Sequence, residues 1–413
     1  MADFSKLPSK ATLDVKPFKA NVDEEKLQHF KTLLELSPIG PAVFENTNVA
    51  RKHGMRRDWL QDAKETWLHS FDWRQYESRI NSFPNFKASI RDSEGHTVEL
   101  HFLAMFSERT DAVPVVFLHG WPSSFCEFLD MLDMIKSRYT PKDLPYHIVV
   151  PSLPGYAYSS GPPLDREYGI DKAAGVINKL MIGLGFGSGY LAQGGDLGSF
   201  ISRLLAMNYE ACKGMHVNMM SFPASEMAEG ATRDESEERA LTRAREFIDT
   251  SSAFLFEQGS RPATIGLALS ASPLALLSWL GEKFLEWSDR DPPLEKILES
   301  VTLYWLTDTF PRCLYHNRGM ASKDETPKIA RISVFTAMSQ VQLPYIDKPC
   351  GYSMFANEII PVPRSWAAKT CNLVSFSQHD RGGHFAAMEM PKELLKDVED
   401  YVERVRGELF KND

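Results

Sequence analysis

The chain has 413 residues, 46 Lys+Arg against 55 Asp+Glu for a net charge of −9, with 43% hydrophobic and 24% charged residues. These are globular proportions with room for a sizeable core, and the acidic balance argues against nucleic acid or an anionic membrane as a partner. No apolar run approaches the ~18 residues of a membrane span, and Met1 to Lys19 lacks an apolar signal-peptide core, so a cytoplasmic location is expected.

In chain order, residues 1 to about 20 read as a loose arm, and Asp23 to Leu36 as an amphipathic helix with Leu27, Phe30, Leu33 and Leu34 on one face. A loop over Pro38 to Asn48 precedes a second, Trp-rich helical pattern from Arg57 to Trp73. Lys87 to Asp92 and Val98 to Phe106 alternate about a Glu94-Gly95 turn, the pattern of a hairpin. Val113 to Leu118 is nearly continuous in apolar residues, as in a strand buried on both faces of a parallel sheet. A helix from Phe125, a strand over Tyr146 to Val150, a helix from Asp171 to Leu184 and a strand at Tyr190 to Ala192 continue the alternation. Met215 to Met220 reads as one more strand.

The alternation then stops. Arg233 to Ile248, the apolar stretch Ile265 to Trp287, and Leu294 to Leu306 read as an inserted helical region. Sheet patterns return at Cys350 to Phe355 and Asn372 to Phe376, and Pro391 to Arg406 is a closing amphipathic helix. The expected fold class is α/β: a mostly parallel sheet with flanking helices, an N-terminal meander and a helical cap. The expected division is 1–95 arm and meander, 96–220 first part of the core, 221–345 cap and 346–413 second part of the core.

Four loops after these strands hold the candidate chemistry, because such sheets collect their reactive groups at the carboxyl ends of the strands. Gly194-Gly195-Asp196-Leu197-Gly198 has the small residues that let a strand turn sharply into a helix, with an ionisable group at the tip. A carboxylate there needs no activating base to attack carbon and form an ester; the competing reading makes Asp196 a helix N-cap. In His119-Gly120-Trp121-Pro122 the amide of Trp121 can point into a cleft, and with that of Leu197 it would form an oxyanion hole. Glu358 and His384 each follow a late strand, and the order nucleophile, acid, His is that of α/β hydrolases. Asp380, four residues before His384, is a rival acid.

Other motifs carry less. Gly183, Gly185, Gly187 and Gly189 precede their strand and miss the GxGxxG spacing, so they are not a phosphate loop. The five cysteines (Cys126, Cys212, Cys313, Cys350, Cys371) lack CxxC spacing and read as reduced, mostly buried thiols. Neither HExxH nor a Cys/His cluster occurs, so no metal and no cofactor are expected.

Taken together, Phe71-Asp72-Trp73, His119 to Pro122, Gly194 to Gly198, Ser272-Pro273, Tyr304-Trp305, Pro361 to Trp366 and Gly382 to Ala387 resemble the epoxide hydrolases of the α/β-hydrolase superfamily. The branch is the one that contains mammalian microsomal, insect juvenile-hormone and soluble fungal enzymes, and the fungal enzymes look most similar. The resemblance implies ring opening by Asp196, hydrolysis of the ester by water activated by His384 and Glu358, and oxyanion stabilisation by Trp121 and Leu197. It further implies a small apolar epoxide as partner and no nucleic acid, with a homodimer as a candidate assembly.

The chain departs from the pattern in the cap. The family's two cap tyrosines bind the ring oxygen and protonate the alkoxide, yet counting from Arg261-Pro262 and Tyr304-Trp305 puts Phe254 and Asn317 at those positions. Phenylalanine donates no hydrogen bond and an amide is a far weaker acid than a phenol; Tyr315, His316 or a substrate hydroxyl are the available replacements. Two rival functions follow: a cofactor-free cyclase, isomerase or lactone/ester hydrolase of specialised metabolism using the same pocket, and a non-catalytic binding protein.

Overall fold

The computed structural model describes residues 3–220, 233–321 and 344–410. Its strands are β1 (Val15–Pro17), β2 (Asn85–Arg91), β3 (Thr97–Met105), β4 (Val113–Leu118), β5 (Tyr146–Pro151), β6 (Tyr190–Gly194), β7 (Cys212–Val217), β8 (Ile346–Asn357) and β9 (Cys371–Gly383). They form one sheet in the order β1-β2-β3-β5-β4-β6-β7-β8-β9. From β5 to β9 neighbouring strands are parallel, and β1, β2 and β3 extend the sheet antiparallel. All six residues of β4 are buried, which explains a run too apolar for a strand with one wet face.

The helices begin with α1 (Glu24–Leu36), α2 (Arg57–His69), α3 (Trp73–Ile80), α4 (Leu129–Arg138), α5 (Ile170–Met181) and α6 (Leu197–Asn208). Between β7 and β8 lie α7 (Glu235–Thr250), α8 (Ala253–Ser260), α9 (Pro262–Leu269), α10 (Pro273–Trp287), α11 (Leu294–Leu306), α12 (Thr309–Cys313) and α13 (Tyr315–Ala321), and α14 (Pro391–Leu409) closes the chain. This is the mostly parallel sheet with flanking helices that the alternation indicates.

Two local expectations are corrected and a third is resolved in detail. Residues 3–20 are not loose: β1 pairs with β2, Phe4 is buried, and the amides of Thr12 and Leu13 donate to Gly183 O. Short apolar anchors separated by charges have no periodicity, which is why the pattern hid them. The Trp-rich helix stops at His69, and Asp72 caps a new helix by accepting from the Arg74 amide. The apolar stretch after Ile265 belongs to two helices, α9 and α10, bent by 117° where Ser272 caps α10 and Pro273 occupies its first turn. No single helix among the described residues is long and apolar enough to cross a membrane.

Topology then gathers the loops. The strand order reverses at β4, with β5 on one side and β6 on the other, and Leu118 is in register with Gly194. The loops after β4 and β6 therefore emerge side by side, at the switch point where such sheets form a crevice. On the far flank Asn357 pairs with Gly383, so the residues after β8 and β9 are also neighbours.

Candidate active site

Asp196 sits at φ 47°, ψ −124°, a conformation that costs a non-glycine residue about 1–3 kcal/mol. The turn is tight because Gly198 lies against β4: a Cβ there would stand 1.9 Å from Leu118 O. The side chain makes no capping hydrogen bond to α6, so the N-cap alternative does not describe it. Its Oδ1 instead accepts from the Trp121 amide at 2.7 Å. Gly120 makes room for that approach, since a Cβ at Gly120 would fall 2.3 Å from the Asp196 carboxyl.

The other oxygen, Oδ2, lies 3.3 Å from His384 Nε2, an ion-pair distance without a well-aligned hydrogen bond. On the opposite edge of the ring, Nδ1 donates to Glu358 Oε1 at 2.6 Å. Glu358 and His384 are both buried, whereas Asp380 is exposed; the rival acid does not reach the ring. Arg243 of α7 donates to Asn357 O and Glu358 O, each at 2.6 Å, tying the acid's loop to the inserted helices.

Burial alone would raise the Asp196 carboxyl, but facing His384 and the amides of Trp121 and Leu197 outweighs it and holds the pKa below its ordinary value. Burial would likewise lower His384, yet the charges of Glu358 and Asp196 prevail and push it up to about 10. At neutral pH the centre is therefore an imidazolium between two carboxylates.

The His384 loop is held by groups that sequence inspection missed. The His384 amide donates to Trp287 O at 2.9 Å. Glu389, at the end of one helical turn (Ala386–Glu389), accepts from the amides of Asp289 at 2.7 Å, Gly383 at 3.2 Å and Phe385 at 3.1 Å. Burial raises this carboxyl to about 7. Glu127 lines a cavity with Asp196 and His384, and burial raises it to about 8. Each is an unexceptional acid in a helical pattern, and only its tertiary neighbours mark it.

A second cavity opens over Asp196 and is lined by Trp121, Phe247, Phe254, Trp287, His316 and Asn317, among others. Phe254 stacks on Trp121 with centroids 5.2 Å apart and planes at 14°. Trp287 meets His384 edge-on at 5.1 Å and Phe254 at 5.2 Å. Tyr315 does not line the cavity; it packs edge-on against Tyr168 at 5.1 Å, because regular helix in α13 turns it away from its neighbours. All 13 tyrosines of the chain fall within the described residues, and none lines either cavity. The five cysteines are free and buried, and no group of three or more His, Cys, Asp or Glu able to hold a metal occurs among the described residues.

Residues 15–128 match the family model described as epoxide hydrolase N terminus, and residues 113–246 match that of the alpha/beta hydrolase fold. A putative epoxide hydrolase of Dothistroma septosporum is 48% identical over 98% of this chain and 94% of its own. The structure of Aspergillus niger epoxide hydrolase superposes with a TM-score of 0.87 at 45% identity, covering 98% of this chain and 100% of that one. The juvenile hormone epoxide hydrolase of the silkworm Bombyx mori shares the fold, with a TM-score of 0.82 at 22% identity over 98% of this chain and 99% of that one.

Proposed function

The chain belongs to the epoxide hydrolase family, and from that premise we propose that it hydrolyses a small epoxide through an ester on Asp196. The observation that carries this reading is the pairing of Asp196 Oδ1 with the Trp121 amide while Oδ2 stays beside His384. Oδ2 attacks an oxirane carbon from the side opposite the C–O bond, that bond breaks, and the electron pair goes to the ring oxygen. Oδ1 becomes the ester carbonyl, already resting on the Trp121 amide, which together with the Leu197 amide beside the carboxyl would stabilise a tetrahedral oxyanion.

Ester formation changes the base as well. Asp196 loses its charge, so one of the two anions holding a proton on His384 disappears. The ring gives up that proton while the alkoxide gains one, by way of solvent. Neutral His384 then takes a proton from water as it attacks the Asp196 carbonyl, with Glu358 stabilising the imidazolium. Collapse releases the diol and restores the carboxylate–imidazolium pair, so protons balance over the cycle.

Trapping tests this reading. Asp196→Asn is expected to abolish turnover, and His384→Gln to retain an ester whose mass equals the added epoxide. Full activity in the first variant, or no adduct in the second with an epoxide the wild type consumes, overturns it. The tyrosine-free cavity wall favours one second reading, a cofactor-free cyclase, isomerase or lactone/ester hydrolase in the same pocket. An isomerised product without oxygen from water, or cleavage of a lactone in place of epoxides, would establish it.

A further inference from the structure

The wall of the second cavity is apolar apart from Asp196, His316 and Asn317. Asn317 is fully buried, and among the described residues neither Nδ2 nor Oδ1 has a hydrogen-bond partner of good geometry. Buried amides are almost always satisfied, so one that touches the adjacent His316 without a well-aligned hydrogen bond, and that faces a cavity, points to a group supplied from outside. His316 beside it is equally specific. Its Nδ1 lies 2.6 Å from Cys313 O, which can only accept, so Nδ1 carries the proton. Tyr156 Oη, 3.3 Å from the same nitrogen, shares that edge. Burial lowers His316 to about 4, so the ring is neutral at physiological pH and Nε2 is an acceptor.

The pair therefore presents the two N–H donors of one amide and two acceptors, Asn317 Oδ1 and His316 Nε2. An oxirane oxygen is only an acceptor. It can use the amide N–H but leaves both acceptors unanswered, and the carbon skeleton of a hydrocarbon epoxide has no proton to give them. A hydroxyl both donates and accepts. We propose that Asn317 and His316 form a subsite for a hydroxyl carried by the substrate, making the preferred substrates epoxides with a hydroxyl on the carbon next to the ring. This rests on the epoxide-opening reading above and refines the expectation of a small apolar epoxide to one that carries a polar group at this point. A hydroxyl held there also lies in the part of the pocket where no tyrosine is present to donate to the opening ring.

The test compares kcat/KM for an epoxy alcohol with its hydroxyl adjacent to the oxirane and for the epoxyalkane of identical carbon skeleton. The wild type is expected to favour the alcohol by on the order of 10²-fold, because a site built to pair a hydroxyl rejects the analogue lacking it. Asn317→Leu and His316→Phe should each shrink that ratio at least about tenfold, and His316→Gln, which keeps an acceptor, should recover part of it. A wild-type ratio near one overturns the subsite without recourse to any variant, and so does a ratio that both variants leave intact. The underlying chemistry is judged separately, by the Asp196 adduct in His384→Gln. If neither compound forms an ester or a diol, the ring-opening reading fails. Thermal-shift binding then decides the subsite: tighter binding of the alcohol supports it and equal binding overturns it.

Discussion

Replacing Glu358 by Gln separates the two halves of the proposed cycle. In the resting centre two carboxylates raise His384 against the effect of burial. Once Asp196 is esterified, only Glu358, 2.6 Å from Nδ1 and itself buried, remains to stabilise the imidazolium formed as water attacks. Gln keeps the shape and removes the charge. Stripping a buried cation of its partner costs about 3–5 kcal/mol, which at ~1.4 kcal/mol per decade corresponds to ~10²–10⁴ in the rate of ester hydrolysis. Ring opening relies on the charge of Asp196 itself and loses far less. Rapid quench followed by intact-protein mass measurement should show the ester accumulating in a burst, with kcat and KM falling together. Equal losses in both steps, with no ester building up, would refute the assignment of Glu358 to the hydrolytic half.

Two further outcomes follow from the same geometry. Phe254→Tyr combined with Asn317→Tyr should raise kcat/KM for a simple hydrocarbon epoxide by ~10–10² by restoring phenolic donors; a folded double variant without any gain counts against a donor deficit. Stability should also fall as pH drops from 6.5 towards 4. Burial lowers His101 to about 3 and His119, His147, His216 and His316 to about 4, so over that window the unfolded chain binds more protons. Glu127, Glu286 and Glu389, raised by burial to about 8, 6 and 7, oppose this below neutrality but are outnumbered. Above pH 6.5 the sign reverses, because raised His384, Glu127 and Glu389 keep protons in the folded state that the unfolded chain has lost. Chemical denaturation across pH 4–9 should therefore show a maximum near 6–7, and a monotonic profile would contradict these directions.

The elbow was legible because its constraints are local: Gly198 is needed because a Cβ there would fall 1.9 Å from Leu118 O, and the small residues of such a turn are written in the sequence. Trp121, Glu358 and His384 were legible because each ends a strand whose apolar run is itself visible, and topology does the rest. Phe254 and Asn317 were reached by counting from fixed landmarks, and both line the cavity. What stayed hidden depends on packing. Trp287 reads as one more apolar residue at the end of a helix, yet its carbonyl and ring both meet His384. Glu127 and Glu389 carry no sequence motif, and only burial of the former and the three backbone amides around the latter mark them. Tyr315 was a candidate donor only while the direction of its side chain was unknown, since one residue along a helix is about 100° of rotation.

The central claim is that Asp196 is both nucleophile and the site that water attacks, and a single turnover in heavy-oxygen water tests it most directly. With enzyme in excess over epoxide, the diol takes its new oxygen from Asp196, and the water oxygen remains in the carboxylate. The account predicts a two-dalton increase confined to the peptide containing Asp196, with unlabelled diol from that first turnover. Labelled diol and an unlabelled Asp196 peptide would mean that water attacks the epoxide directly, contradicting the ester mechanism.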